Sequence, residues 1–239
     1  MKKGLSCIAL LIAIIISSAQ ASELPQASGP AGLEYYSENL PPYNYLEAGV
    51  VQGRSMDLLR RAWKRLGVPE GRVNILPWAR AMDSAMTDPR GVLFSTARLP
   101  SREDMFKWAC PFPSEPLVMV GRRDSIPASE LCLDGYPVRV GVVRGGAAYE
   151  IVKNQCGDKL IPEVANSAEH NMRKLLEKRL DYIVVTERYL MSAKGRHAAD
   201  ELVTIRQLGE ISMCMAFNKA VPDQVVESFR RAFDDISRN

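Results

Sequence analysis

The segment 94–103 (FSTARLPSRE) is the best candidate for an anion anchor in the 239-residue chain. Ser95, Thr96, Arg98 and Arg102 lie at or after the end of an apolar run that predicts a strand. A guanidinium fork forms two parallel hydrogen bonds to a carboxylate, and hydroxyls add further donors. We therefore expect this segment to hold a negatively charged group. The alternative for a single arginine is a solvated surface charge.

Aromatic side chains follow two other predicted strands. Glu38 and Tyr43 belong to the segment 38–45 (ENLPPYNY), whose Pro-Pro pair predicts a rigid loop. Trp78 and Arg80 follow a second apolar run and begin a predicted helix. Because α/β sheets bind ligands outside the carboxyl ends of their strands, we expect these side chains to share one crevice with the arginine segment. For Tyr43, a packed turn is the alternative.

A glycine-rich turn follows a fourth predicted strand. In the segment 139–148 (RVGVVRGGAA), Gly145, Gly146 and Ala147 stand between the strand and a predicted helix. The free N–H groups of a helix N-terminus can bind an anion. The spacing does not match the GxGxxG pattern of dinucleotide-binding proteins, so the turn predicts no nucleotide cofactor.

The chain lacks the common catalytic motifs. The sequence contains no GxSxG, HExxH or GxxxxGK[ST] pattern. His170 and His197 are far apart in polar surroundings, which favours solvated surface histidines. These observations predict binding without chemistry and without a cofactor or metal ion.

The N-terminus has the pattern of an export signal. Two lysines precede the ten-residue apolar run 7–16, and Ala19 and Ala21 then place small side chains at the two positions that a signal peptidase reads. The run is too short to cross a hydrocarbon layer of about 30 Å, so we expect residues 1–21 to be a cleaved signal peptide rather than an anchor. With 31 basic against 28 acidic residues, the chain lacks the charge of a nucleic-acid binder. We expect a monomeric periplasmic protein.

Alternating short apolar runs and amphipathic helices predict an α/β fold with two lobes, each a mostly parallel sheet flanked by helices. Lobe 1 should comprise residues 22–116 and 213–239, and lobe 2 residues 117–212. Two crossing strands, at 117–121 and 211–217, should pair with each other and form a hinge. The gap between the lobes is then the natural ligand site.

Four cysteines remain after the predicted cleavage. An even number in an oxidising compartment suggests disulfides, and buried free thiols are the alternative. Of the three possible connectivities, the predicted topology favours Cys132–Cys156 and Cys110–Cys214.

The order and spacing of these blocks resemble family 3 periplasmic solute-binding proteins of the amino-acid type. The resemblance covers most of residues 33–236 and implies a type II binding fold that closes over its ligand and serves an ABC permease in the inner membrane. The blocks that carry it are 40–67 (LPPYNYLEAGVVQGRSMDLLRRAWKRLG), 95–103 (STARLPSRE), 106–112 (FKWACPF), 138–146 (VRVGVVRGG) and 179–185 (RLDYIVV).

The resemblance also suggests residue roles. The arginine that binds the ligand carboxylate in this family matches Arg102, while Ser95 replaces a glycine that opens the same block. Ala97 and Leu99 stand where the family usually has hydroxyl residues. The turn 145–147 replaces a Gly-Ser/Thr-Thr turn, losing hydroxyls but keeping N–H donors.

One family feature is missing. The acid that holds the α-ammonium group falls on Thr186, with Glu187 one residue further. Either Glu187 substitutes for it or the ligand lacks an ammonium group. Trp78 and Arg80 would then select an aromatic or anionic solute.

The resulting prediction is a receptor that closes over a small carboxylated or otherwise anionic solute, an amino acid or a related compound. One alternative is a dehydratase-like enzyme on a cyclic carboxylate, with Glu38, Glu187 or Glu150 as general acid. Another is a ligand-sensing partner of a membrane signalling protein.

Overall fold

The computed structural model describes residues 29–124, 138–157, 161–197 and 200–238. Within these ranges the chain forms two five-stranded sheets and one two-stranded sheet. In chain order the strands are β1 (Glu34–Ser37), β2 (Tyr45–Glu47), β3 (Val50–Gln52), β4 (Arg72–Ile75), β5 (Gly91–Ala97), β6 (Lys107–Ala109), β7 (Glu115–Arg122), β8 (Arg139–Val143), β9 (Ile161–Ala165), β10 (Tyr182–Thr186), β11 (Leu202–Ile211) and β12 (Met213–Phe217). The helices are α1 (Arg54–Leu66), α2 (Trp78–Thr87), α3 (Ala147–Cys156), α4 (Ala168–Leu176), α5 (Glu187–His197) and α6 (Asp223–Arg238).

The first sheet has the strand order β4-β1-β5-β12-β6, and the second has the order β11-β7-β10-β8-β9. In each sheet four strands run in one direction, and only the strand that arrives from the other sheet, β12 or β7, runs against them. Helices α1, α2 and α6 pack with the first sheet, and α3, α4 and α5 with the second. We call these two assemblies lobe 1 and lobe 2. The two-lobed α/β prediction is confirmed.

The core of lobe 1 explains why its two amphipathic helices lie side by side. Helices α1 and α6 bury apolar faces against the sheet, and Trp63 of α1 donates from its indole to the Tyr35 hydroxyl at 2.9 Å. Helix α1 ends where Gly67 takes a left-handed conformation with φ 67°. This packing fixes β1 and β5, whose carboxyl ends carry the anion-binding residues.

The crossing strands differ from the predicted arrangement. Strands β7 and β11 pair antiparallel from Leu202 opposite Arg122 to Ile211 opposite Glu115. Strand β12 pairs with β5 and β6 instead, so the prediction of a single strand at 211–217 is wrong. Ile211 ends β11 in the second sheet, and β12 begins at Met213 in the first sheet, so the chain passes from one sheet to the other at Ser212. The hydroxyls of Ser114 and Ser212, 2.9 Å apart, connect the two crossing segments.

A disulfide joins Cys110 to Cys214 in lobe 1, as the favoured pairing predicted. Cys156 is also disulfide-bonded, and its expected partner Cys132 lies outside the described residues. The expected signal peptide, residues 1–21, also lies outside them. Within the described ranges no helix is long and apolar enough to cross a membrane.

Candidate functional site

A cavity of about 90 Å³ lies between the lobes, where the strands of both sheets end. In lobe 1 its wall includes residues that follow β1, begin α2 after β4, or end β5. In lobe 2 its wall includes residues that follow β8 and β9 or end β10. The predicted site residues that line it are Glu38, Trp78, Ser95 and Arg102 from lobe 1, and Gly146, Ala147 and Thr186 from lobe 2.

Arg102 is the cationic group of this wall and is only 5% exposed. It lies in the 3-10 turn Pro100–Met105, where its N–H donates to the Leu99 carbonyl at 2.9 Å. Its Nη1 donates to the Ala97 carbonyl at 3.2 Å and lies 3.4 Å from the hydroxyl oxygen of Thr96. Burial lowers the pKa of the guanidinium, so its positive charge carries a desolvation cost that an anion would offset.

The carbonyl of Gly145 is the point at which lobe 1 contacts the glycine turn of lobe 2. Arg102 donates to it through Nη2 at 2.9 Å, and Trp78 donates through its indole Nε1 at 2.9 Å. The Arg102 guanidinium also stacks 5.5 Å from the centroid of the Trp78 ring. Gly145 has φ 65°, a conformation that favours glycine and turns its carbonyl toward lobe 1.

The hydrogen-bonding groups that the glycine turn presents to lobe 1 therefore differ from the predicted N–H donors. We expected N–H donors at Gly145, Gly146 and Ala147, but Gly145 supplies a carbonyl acceptor and Gly146 donates within the turn to Val143 at 2.9 Å. The N–H groups that lack a helical partner here belong to the first turn of α3, where Ala147 and Ala148 line the cavity.

Two polar groups of lobe 1 are buried at the cavity without a hydrogen-bond partner among the described residues. One is Oε2 of Glu38, and burial raises the pKa of this carboxyl to about 8, although the nearby Arg102 charge opposes the shift. The other is the hydroxyl of Ser95, whose backbone is left-handed with φ 56°. Such strain in a residue other than glycine is typical of ligand sites.

Tyr43 does not line the cavity, in contrast to the predicted stacking role. Its hydroxyl donates to the Glu115 carboxylate and lies 2.9 Å from the Thr186 hydroxyl. Arg188 lies 3.6 Å from the same carboxylate, and the Thr186 hydroxyl accepts from the backbone N–H of Tyr189 at 3.2 Å. Burial raises the pKa of Tyr43, so the phenol stays a neutral donor that ties the 38–45 loop to lobe 2.

Five other predicted residues do not line the cavity, and one of them is Gly145, which contacts lobe 1 through its carbonyl. Arg80 is exposed because it follows Trp78 by two helical positions, about 200° around α2. Arg98 is exposed and pairs with Glu103, with its Nε 2.8 Å from that carboxylate. Thr96 is buried behind Arg102. Glu187 is exposed at the start of α5, so it does not supply the acid missing at Thr186.

The apolar part of the wall was not predicted. It comes from both lobes and includes Leu40, Leu117, Ala168, Val184 and Tyr189. The signals in the sequence were the buried strand that ends at Thr186 and the cap before α4, where Ser167 accepts from the His170 N–H at 3.2 Å. Neither signal showed which side chains would face lobe 1.

Of the three candidate general acids, only Glu38 lines the cavity. Glu150 accepts a hydrogen bond from the Ser101 hydroxyl at 2.7 Å, and Glu187 is exposed. Within the described residues, no group of three or more His, Cys, Asp or Glu side chains could hold a metal ion.

The fold is that of the two-lobed periplasmic binding proteins. Holo ArgBP from T. maritima superimposes with a TM-score of 0.74 at 18% identity, over 86% of this chain and 90% of the other. The arginine-, lysine-, histidine-binding protein ArtJ from Geobacillus stearothermophilus gives 0.75 at 14% identity, over 86% and 89%. A histidine kinase sensor domain with similarity to periplasmic binding proteins gives 0.75 at 18%, over 86% and 90%. No family model and no curated protein matches the sequence.

Proposed function

We propose that this protein is a periplasmic receptor that closes its two lobes over a small carboxylated or otherwise anionic solute. The observation that carries the proposal is a guanidinium, Arg102, buried at the wall of a cavity between the lobes. The similar structures are binding proteins and a sensor domain rather than enzymes. In this proposal residues 1–21 direct export, lobe 1 spans 22–116 and 213–239, and lobe 2 spans 117–212.

Helix termini add to the positive potential of the cavity. The first residues of α2, α3 and α4, which are Trp78, Ala147 and Ala168, all line it. The N-terminus of a helix carries about half a positive charge and unpaired N–H donors. Three such termini beside one guanidinium favour a ligand whose charged end is an anion.

Arg102 can be tested against a matched arginine in the same segment. Arg102→Ala removes the buried guanidinium, whereas Arg98→Ala removes an exposed one that is paired with Glu103. A thermal-shift screen of organic acids and amino acids first identifies solutes, and calorimetry then measures their affinity. A charge-assisted hydrogen bond contributes about 1.5–3 kcal/mol, so Arg102→Ala should weaken binding by about 10- to 150-fold. Arg98→Ala should leave affinity unchanged.

Full affinity in Arg102→Ala would refute the anchor role. Scattering profiles that stay unchanged for every solute in the screen would refute closure. A loss of affinity that is equal in the two variants would point to the net charge of the protein rather than to one guanidinium.

The receptor is proposed to deliver its solute to an ABC permease in the inner membrane. The second candidate is a sensory role beside a membrane signalling protein, which the similarity to a histidine kinase sensor domain favours. Deletion of the gene separates the two. Loss of labelled-solute uptake supports transport, whereas intact uptake with a lost transcriptional response to the solute supports sensing.

A further inference from the structure

We propose that the solute of this cavity is a small carboxylate that has an apolar body and carries no ammonium group. This inference rests on the proposed receptor function and narrows the class of solute. It sets the protein apart from ArtJ, which is an arginine-, lysine-, histidine-binding protein. Three features of the described residues support it. No lining residue of lobe 2 is an acid, the lobe 2 wall is largely apolar, and the lobe 1 wall carries one net positive charge.

The described residues of the lobe 2 wall offer no carboxylate to an ammonium group. Of the described residues that line the cavity, none from lobe 2 is an acid. The nearby acids are otherwise engaged, because Glu150 accepts from Ser101 and Glu169 lies 3.0 Å from Nε2 of His197. Glu187 is exposed, and the hydroxyl of Thr186 contacts Tyr43 and the Tyr189 N–H.

The side chains that lobe 2 does present are largely apolar. Ala147, Ala148, Ala168, Val184 and Val185 face the cavity across from Arg102. A buried ammonium ion among these methyl groups would lose its hydration and gain no counter-ion, which costs several kcal/mol. An alkyl group in the same position would instead gain favourable burial.

The charge of the lobe 1 wall can neutralise one negative charge on the solute. Glu38 is the one acid among the described lining residues, and its pKa of about 8 keeps it protonated near neutral pH. Tyr189, also in the wall, stays a neutral phenol because burial raises its pKa, and its hydroxyl lies 3.4 Å from Glu169. Arg102 is the charged residue among the described lining residues. The wall therefore carries one net positive charge, which one carboxylate neutralises. A zwitterion would leave that charge uncompensated unless Glu38 released its proton.

Matched pairs of probes test the solute class. Each pair contains an amino acid and its counterpart without the amino group, such as L-valine and 3-methylbutanoate, across several aliphatic and aromatic bodies. We expect the counterparts to bind at least ~100-fold more tightly in calorimetry, because an unpaired buried charge is so costly. Tighter binding of the amino acids would overturn this inference and leave the receptor function standing. Binding by no member of any pair would also overturn it, and the wider anion screen would then decide the receptor function separately.

The role of Glu38 provides a second readout. Glu38→Gln imitates a protonated carboxyl. It should therefore remove the decline in carboxylate affinity that the wild type shows as the pH rises toward about 8, where Glu38 ionises and repels the solute. Calorimetry in buffers of different ionisation enthalpy should show no net proton release at neutral pH. A loss of binding in Glu38→Gln, together with about one proton released by the wild type, would show that Glu38 ionises to hold a cationic group and would refute the inference.

Discussion

Trp78 offers the sharpest test of how the lobes hold each other. Trp78→Phe keeps an aromatic ring in a position that is 3% exposed, and it removes the indole N–H that donates to Gly145 together with the second ring of the indole. The acceptor is not left unpaired, because Arg102 donates to the same carbonyl at 2.9 Å. The smaller ring adds a packing cost, and the interlobe part of the cost should equal the net value of one hydrogen bond, about 0.5–1.5 kcal/mol.

That free energy is lost from the closed form alone, since Trp78 and Gly145 belong to different lobes. A solute that binds the closed form then has an apparent affinity about 2- to 12-fold weaker. Calorimetry with an identified solute measures this change, and small-angle scattering without solute should show a larger mean radius of gyration.

Trp108 provides the matched control. Its indole also donates to a backbone carbonyl, that of Glu103 at 3.1 Å, and the residue is 4% exposed, but both partners lie in lobe 1. Trp108→Phe should reduce the free energy of unfolding by a similar amount without changing solute affinity. Equal affinity losses in the two variants, or an unchanged scattering profile for Trp78→Phe, would refute an interlobe role for the indole.

Three further perturbations have effects that follow from the described contacts. Replacing both Cys110 and Cys214 by serine opens a crosslink that spans 104 residues, and urea denaturation should show a loss of about 2–5 kcal/mol in the free energy of unfolding. Burial raises the pKa of Glu38 from 4.5 to about 8, so its contribution to stability is complete below pH 4.5 and is lost as the pH rises through about 8. Denaturation at about pH 5 and about pH 8 should therefore show a smaller decline in Glu38→Gln, and equal declines would contradict the shift. Tyr43→Phe removes a hydroxyl that contacts Glu115 and Thr186, which should cost about 1–3 kcal/mol of unfolding free energy, and an unchanged denaturation midpoint would contradict that role.

The sequence predicted much of lobe 1 because its signals are local. Apolar runs followed by polar residues mark the ends of β1, β4 and β5, and parallel strands bring those ends to one edge. Arg102 was predicted as the anchor on these grounds and by resemblance. Arg98, only four residues earlier, looked equally suitable. The 3-10 turn separates them, since it buries Arg102 at the cavity and leaves Arg98 paired with Glu103 in solvent.

The interactions between lobes could not be predicted from local patterns. Tyr43 looked like a stacking residue because it is aromatic and follows a Pro-Pro pair, but its partners Glu115 and Thr186 are 72 and 143 residues away in the chain. The carbonyl of Gly145 gave no signal at all, because any residue has one. Only the left-handed turn, together with the approach of Trp78 and Arg102 from lobe 1, makes that backbone atom important.

Arg102 also explains why a solute should favour closure. Burial lowers the pKa of its guanidinium, and part of its surroundings is the Gly145 carbonyl of lobe 2, so a buried charge at the junction of the lobes has an electrostatic cost. Glu38 offsets little of that cost while its carboxyl stays protonated, and Glu150 acts from outside the cavity wall. A solute carboxylate would supply the missing counter-charge where the desolvation is greatest. The same group would therefore bind more tightly to the closed form than to the open one, and this difference in affinity is what shifts the population toward closure.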